Sequence, residues 1–171
     1  DLLLHTSRDA SPGLMEKRSA TVYVVDDDRS FLAAISRLLR STGYTVRAFD
    51  SARQFLEDHE AGAPGCLLLD LAMPGLDGLS LQDLLLERGI ERPIVFLTGR
   101  GDIVTSVRAM KHGAVDFLTK PVDDTVLLSA VREALEQDRQ ARENRAEQEE
   151  FQRRWSTLTP REREVARHVI A

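Results

Sequence analysis

The stretch Gly65-Cys66-Leu67-Leu68-Leu69-Asp70-Leu71-Ala72-Met73-Pro74-Gly75 decides the fold of this chain. A short apolar run ends at the carboxylate of Asp70, and a turn containing proline and glycine follows. The run is too short to span a membrane, and its continuous apolarity is typical of a parallel strand that is buried on both faces. Such a strand places its last side chain at the carboxyl edge of a sheet, where open α/β sheets bind ligands. Taken alone, the stretch still favours a plain turn-forming role for Asp70.

Segments with strand and helix patterns alternate on both sides of this run. The predicted strands are 21–25, 45–49, the run ending at Asp70, 94–98 and 115–119. Between them, apolar residues recur at helical spacing and the connections are short. Five such alternations require parallel strands joined by helical crossovers, so we predict an α/β fold with a doubly wound five-stranded parallel sheet.

The composition is that of an ordinary soluble globular protein. The chain has 171 residues, of which 42% are hydrophobic and 30% charged, and a formal net charge of −5. This charge argues against nucleic-acid binding by the whole chain through bulk charge. The single cysteine, Cys66, has no disulfide partner, and the four histidines lack metal-ligand spacing. No signal peptide or membrane span is apparent, so we expect a cytoplasmic protein.

The composition also divides the chain into four segments. After the last strand, charged residues dominate, and pairs such as Asp138/Arg142 and Glu150/Arg154 indicate a solvated helix that continues the preceding one. No strict coiled-coil heptad is visible, which leaves dimerisation through this helix open. The predicted segments are a flexible leader (1–19), the α/β domain (20–136), a charged helical linker (137–156) and the truncated start of a second, all-α module (157–171).

Four of the five predicted strands end at, or are directly followed by, a residue whose side chain can take part in binding or catalysis. Asp26 and Asp27 follow the first strand, Asp70 ends the third, Thr98 ends the fourth and Lys120 follows the fifth. Each has a simple structural explanation by itself, as a helix cap, turn former or surface residue. Parallel strands bring all of them to one sheet edge, however, so a shared functional site is the better interpretation.

Converging carboxylates repel one another unless a cation intervenes. Ligands that are all oxygen, without histidine or cysteine, select a hard cation, and partly hydrated Mg²⁺ fits. Lys120 adds a mobile positive charge and Thr98 a hydroxyl group. A metal, an ammonium and a hydroxyl around a free carboxylate indicate phosphoryl transfer, with the carboxylate as nucleophile.

The motifs around these residues resemble the receiver domain of two-component response regulators. They are Val24-Val25-Asp26-Asp27-Asp28, Leu69-Asp70-Leu71-Ala72-Met73-Pro74-Gly75-Leu76-Asp77-Gly78, Leu97-Thr98-Gly99 and Asp116-Phe117-Leu118-Thr119-Lys120-Pro121. In addition, Leu158-Thr159-Pro160-Arg161-Glu162-Arg163-Glu164-Val165 resembles the opening of the LuxR-type helix-turn-helix of the NarL/FixJ class. The resemblance implies a flavodoxin-like, CheY-like fold with strand order 2-1-3-4-5, a long linker helix and a partial helix-turn-helix segment.

The same resemblance implies a role for each site residue. Asp70 would be the phosphoacceptor. Asp27 and Asp70, with the backbone carbonyl of Ala72, would hold Mg²⁺, and Asp26 would act through water. Ala72 and Arg100 would flank the path of the water that removes the phosphoryl group.

The resemblance also assigns a switch. Lys120 would pair with the phosphoryl group, and Thr98 would move towards it and let Phe117 turn inward. The family often has tyrosine where this chain has Phe117, so a switch here depends on packing rather than on a hydroxyl bond.

The implied function is that of a regulator rather than an enzyme with a separate substrate. A histidine kinase would phosphorylate Asp70, and the face formed by the last two helices and the fifth strand of the domain would then change and dimerise. The full-length protein would bind DNA through its output domain. The chain as given would bind DNA poorly, because the recognition helix would lie beyond Ala171.

Other functions remain as alternatives. One is a receiver that acts through protein contact without DNA binding. A flavin-binding protein would need a phosphate-cradling loop after the first strand, where Asp26-Asp27-Asp28 would repel phosphate. A phosphatase of the haloacid-dehalogenase kind would need an Asp-x-Asp nucleophile motif on that strand, and Asp70-Leu71-Ala72 lacks the second acid.

Overall fold

The computed structural model describes residues 20–99 and 101–170. The predicted leader (1–19) and Arg100 therefore lie outside the described residues. Backbone contacts divide the chain into two compact units, with the division between Asp138 and Arg139.

The first unit contains a five-stranded parallel sheet with the order β2-β1-β3-β4-β5, which confirms the predicted fold. Strand β3 lies at the centre and is buried along its whole length, as its apolar sequence predicts. The strands are β1 (Thr21–Val25), β2 (Thr45–Phe49), β3 (Gly65–Asp70), β4 (Ile94–Thr98) and β5 (Asp116–Thr119). The fifth strand begins one residue later than predicted.

Helices cover both faces of the sheet and enclose two apolar cores. Residues Ile35 and Val131 belong to the core on one face, whereas Phe55 and Leu81 belong to the core on the other. The helices are α1 (Arg29–Ser41), α2 (Ala52–Asp58), α3 (Gly78–Glu87), α4 (Ile103–Lys111), α5 (Asp124–Thr157) and α6 (Pro160–Ile170). Helices α1 and α5 therefore pack against one face, and α2, α3 and α4 against the other, so the sheet is doubly wound as predicted.

Carboxylate and hydroxyl side chains cap the N-termini of several helices. Ser51 accepts a hydrogen bond from the Gln54 amide (3.2 Å), and Asp102 accepts one from the Thr105 amide (2.7 Å). These bonds satisfy amide groups that have no partner within the first turn of a helix. The caps fix where α2 and α4 leave the sheet.

The amino end of β3 corrects one prediction. Asp138, expected in a solvated pair with Arg142, is only 3% exposed, and its Oδ2 accepts a hydrogen bond from the Gly65 amide (3.0 Å). The spacing rule for helical ion pairs takes no account of tertiary packing, which here buries the last residue of the first unit against the sheet. This hydrogen bond connects α5 to the amino end of β3 within the first unit.

The second unit consists of the remainder of α5 and the short helix α6. As predicted, α5 continues through the charged linker and ends at Thr157. Thr159 and Glu162 form a capping box, in which the Thr159 amide donates to Glu162 (2.7 Å) and the Glu162 amide donates to Thr159 (3.3 Å). Among the described residues, no helix is both long enough and apolar enough to cross a membrane.

Candidate functional site

Three carboxylates meet at the carboxyl edge of the sheet. Asp26 and Asp27 follow the end of β1, and Asp70 is the last residue of the adjacent strand β3. Each offers an oxygen atom, and these atoms all lie within 4.8 Å of one another. Asp26 and Asp70 are buried, whereas Asp27 is exposed and opens the group to solvent. The parallel sheet therefore brings these three carboxylates together at one edge, as the sequence predicts.

The Asp70 carboxyl resists ionisation in this arrangement. Burial raises its pKa to about 6, and the nearby Asp26 charge adds to this rise, while the Lys120 ammonium opposes it. A hydrogen bond from Asp70 to Asp27 and the Asp27 charge raise the pKa further. A cation placed among the carboxylates would relieve these effects, and a set of carboxylate oxygens suits Mg²⁺. The residues present therefore fit a hard divalent cation.

The raised pKa predicts a pH-dependent stability for the metal-free protein. Because the folded state binds the Asp70 proton more tightly than the unfolded chain does, the associated stability is present at low pH and is lost as the pH rises through about 6. Asp70→Asn removes this titration. We expect its stability advantage over the wild type to grow by about 1 kcal/mol between about pH 5 and pH 7.5, from about 1.4 kcal/mol per pKa unit.

Urea unfolding in the presence of EDTA measures this difference. The same comparison with Asp77→Asn, an exposed helix cap that asparagine can replace, provides the control. An advantage for Asp70→Asn that is equal at both pH values would contradict the prediction.

Lys120 brings a positive charge to the carboxylates. Its backbone amide donates to the Thr98 carbonyl (2.8 Å), which places the residue directly beyond β5 beside the end of β4. The Nζ atom lies 2.6 Å from Oδ2 of Asp26 and 3.7 Å from Oδ1 of Asp70. The Lys120–Pro121 peptide bond is cis. Lys120 therefore pairs with Asp26 and lies close to the carboxylate of Asp70.

Thr98 ends β4, and Phe117 lies within the neighbouring strand β5. Thr98 is the last residue of β4 and is fully buried, and Leu97 before it pairs with Asp70 in the sheet. Phe117, on β5, is half-buried and packs against Phe96, with ring centroids 5.9 Å apart. The structure thus places the two predicted switch residues on β4 and β5, the strands that follow β3 in the order of the sheet.

Gly101 packs directly against these two side chains. A Cβ atom on Gly101 would lie 2.8 Å from Cε1 of Phe117 and 3.3 Å from Cγ2 of Thr98. We expect Gly101→Ala to displace the Phe117 ring and to shift the NMR signals of the Phe117 and Phe96 rings. A Cβ on Gly99 meets nothing within 4 Å, so Gly99→Ala is the matched control. Equal ring shifts in the two variants would contradict the prediction.

The loop after β3 closes against the end of that strand. Ala72 is exposed, two residues beyond Asp70. The Gly78 amide donates to the Leu71 carbonyl (3.0 Å), and a Cβ on Gly78 would lie 2.4 Å from the Asp70 carbonyl oxygen. Only glycine permits this approach, so Gly78 helps to fix the backbone that presents Asp70.

The fold and the acidic edge define a receiver of the response-regulator type, and sequence comparison agrees. The model of the response regulator receiver domain family matches residues 22–132. This chain belongs to that family, as the motifs indicate. It contains the receiver domain of a two-component response regulator.

Curated relatives match over most of the chain. The response regulator protein TodT of Pseudomonas putida is 43% identical over 156 residues, which are 91% of this chain and 69% of TodT. The transcriptional regulatory protein FixJ of Bradyrhizobium diazoefficiens is 39% identical over 150 residues, covering 88% of this chain and 73% of FixJ. These relatives confirm the predicted NarL/FixJ class.

Solved structures of response regulators also match this chain. The response regulator StyR matches with a TM-score of 0.82 and 43% identity, over 89% of this chain and 77% of that chain. Full-length FixJ from B. japonicum matches with a TM-score of 0.67 and 38% identity, over 88% of this chain and 74% of that chain.

Several residues that shape the site escape prediction from the sequence. Gly78 and Gly101 matter through close approaches in the folded chain, to the Asp70 carbonyl oxygen and to the Phe117 ring, and no local sequence pattern reports these. Phe31 is a further example, because its ring lies 4.0 Å from Nζ of Lys120. Its helical spacing indicates a core residue, and it does pack partly against the core.

Proposed function

We propose that this chain is a phosphorylation-activated switch in which Asp70 accepts a phosphoryl group from a histidine kinase. The observation that supports this most strongly is the position of the Asp70 carboxylate. It is held at the end of a rigid buried strand, within 4.8 Å of two other carboxylates and 3.7 Å from an ammonium group. A reactive carboxylate beside an ammonium group, with further carboxylates that can hold a charge-neutralising cation, is the arrangement that transfer requires.

The cation site would be formed by Asp27, Asp70 and the carbonyl of Ala72, with Asp26 acting through water. When bound, Mg²⁺ supplies positive charge that offsets the repulsion among the carboxylates and the phosphoryl oxygens. The exposed position of Asp27 supports exchange of the ion with solvent.

The transfer itself needs four contributions from the chain. A carboxylate oxygen of Asp70 attacks phosphorus while the phosphorus–nitrogen bond of the donor phosphohistidine breaks, and the imidazole leaves with the electron pair. Lys120 neutralises charge on a phosphoryl oxygen, and the buried Thr98 hydroxyl donates a hydrogen bond to another. The rigid end of β3 keeps the nucleophile in place, so little reorganisation is needed.

The added charge would then act as a switch. A phosphoryl group brings about −1.5 to −2 charges, which draw Lys120 and Thr98 towards Asp70. Movement of Thr98 leaves space for the half-buried Phe117 to turn inward. The result is a change in β5 and in the helices α4 and α5 beside it.

We propose dimerisation and DNA control as the output. Ile103 and Val104 on α4 are 82% and 80% exposed, and covering such side chains on a second copy would favour the dimer. FixJ is named as a transcriptional regulatory protein, which favours DNA control over a function through protein contact alone. The second unit, 139–171, would relay the change to a DNA-binding domain of the full-length protein.

Treatment with acetyl phosphate tests the phosphoryl transfer. We expect the mass of the intact protein to increase by one phosphoryl group in the presence of Mg²⁺, and to stay unchanged when EDTA replaces the metal. Size-exclusion chromatography of the same samples would show the dimer. An unchanged mass in Mg²⁺ would contradict the proposal.

A further inference from the structure

The ring of Phe31 lies against the ammonium group of Lys120. Their separation of 4.0 Å, from Nζ to the ring centroid, is well within the range of about 6 Å in which a ring face attracts a cation. The Lys120 side chain is only 18% exposed, so its ammonium is largely removed from water. Cation–π attraction is strongest for such desolvated groups.

Local structure holds Phe31 in this position. The Oδ1 atom of Asp28 accepts hydrogen bonds from the amides of Ser30 (3.0 Å) and Phe31 (3.1 Å) and so caps α1. The Asp28 amide in turn donates to Oδ1 of Asp26 (2.8 Å). The other oxygen of Asp26 accepts from Lys120 (2.6 Å). Asp26 therefore binds the ammonium directly, and it also binds the Asp28 cap that holds the Phe31 backbone.

We infer that Phe31 is a positioning residue for Lys120, which it holds beside Asp70 for phosphoryl transfer. The inference rests on the function proposed above. It adds a residue on α1 to a site whose charged members all follow or end strands.

A neutral ring has a specific advantage at this position. Lysine has a flexible stem of four carbons, and its three N–H donors would otherwise be shared between Asp26 and water. The ring attracts the ammonium without accepting a conventional hydrogen bond, so donors stay available for a phosphoryl oxygen. A further carboxylate in place of the ring would instead compete with that oxygen for the N–H donors.

A purely structural role is the competing explanation, because Phe31 also packs against the core. Three variants separate the two. Phe31→Leu keeps an apolar side chain but removes the ring, Phe31→Tyr keeps the ring, and Leu32→Ala removes packing from the neighbouring residue, which contacts the same core.

The first measurement is the rate of phosphorylation by acetyl phosphate in Mg²⁺. We expect Phe31→Leu to slow it about three- to tenfold, the effect of a partly desolvated cation–π contact. Phe31→Tyr should stay within about twofold of the wild type, and Leu32→Ala should leave the rate unchanged. A wild-type rate in Phe31→Leu, or an equal loss in Leu32→Ala, would overturn the inference.

The second measurement needs neither metal nor phosphoryl donor. A ring face shields nearby protons, so the NMR signals of the Lys120 ε-methylene should lie upfield in the wild type and in Phe31→Tyr, and return to ordinary values in Phe31→Leu. If they are not displaced in the wild type, Phe31 does not hold Lys120. If instead the wild type shows this displacement but takes up no phosphoryl group, the proposed function fails while the contact stands.

Should Phe31→Leu fail to fold, a fluorinated phenylalanine at position 31 replaces it. Fluorination weakens the negative face of the ring at nearly constant shape, and the rate should fall as the ring loses electron density. An unchanged rate across a series of fluorinated rings would overturn the inference.

Discussion

Asp70→Asn is expected to abolish incorporation of a phosphoryl group from acetyl phosphate or from a histidine kinase. Asparagine keeps the shape of the side chain at the end of β3 but has no carboxylate oxygen with which to attack phosphorus. The variant should nevertheless fold, because the neutral amide removes one of three neighbouring negative charges. Intact-mass measurement after treatment with the donor and Mg²⁺ provides the test.

Asp77→Asn is the matched control for this loss. Asp77 is exposed and caps α3 through the Ser80 amide (2.8 Å), a role that asparagine also fills. It should incorporate a phosphoryl group as the wild type does. Full incorporation by a folded Asp70→Asn protein would show that another side chain is the acceptor.

Gly65→Ala is expected to cause a large loss of stability. A Cβ on Gly65 would lie 2.0 Å from the Thr21 carbonyl oxygen, and its φ of +152° is one that other residues rarely adopt. Thr21 belongs to β1, which pairs with β3, so relief of the clash requires movement of the central strands. We expect a loss of about 2–4 kcal/mol in the free energy of unfolding, typical of severe overpacking combined with backbone strain.

Urea unfolding of Gly65→Ala and Gly62→Ala measures this effect. A Cβ on Gly62 meets nothing within 4 Å, so that variant should stay within about 0.5 kcal/mol of the wild type. Similar losses in both variants would show that glycine is not required by the packing at the start of β3. The stability of this strand matters for function because the same strand ends at Asp70.

The fold was predictable because its signals are local. Apolar runs such as 65–69 and the helical spacing of Ile35 and Leu39 mark the elements, and short connections between them permit little besides a parallel, doubly wound sheet. Asp138 shows the limit of such signals. The surrounding sequence is charged and predicts exposure, but tertiary packing buries this carboxylate against Gly65.

The polar members of the site were predictable for the same reason. Side chains at the ends of parallel strands must meet at one edge, so Asp26, Asp27, Asp70 and Lys120 could be grouped from their positions alone. The packing around them could not. The contact of Phe31 with Lys120 depends on how α1 lies against the sheet.

Borohydride trapping tests the central claim most directly. Hydride reduces an aspartyl phosphate to homoserine with release of phosphate, so the acceptor is marked permanently at its own position in the chain. After treatment with acetyl phosphate and Mg²⁺, peptide sequencing by mass spectrometry should find homoserine at position 70. Homoserine at position 26 or 27 instead, or at no position in a protein that gained a phosphoryl group, would contradict the assignment of Asp70 as the phosphoacceptor.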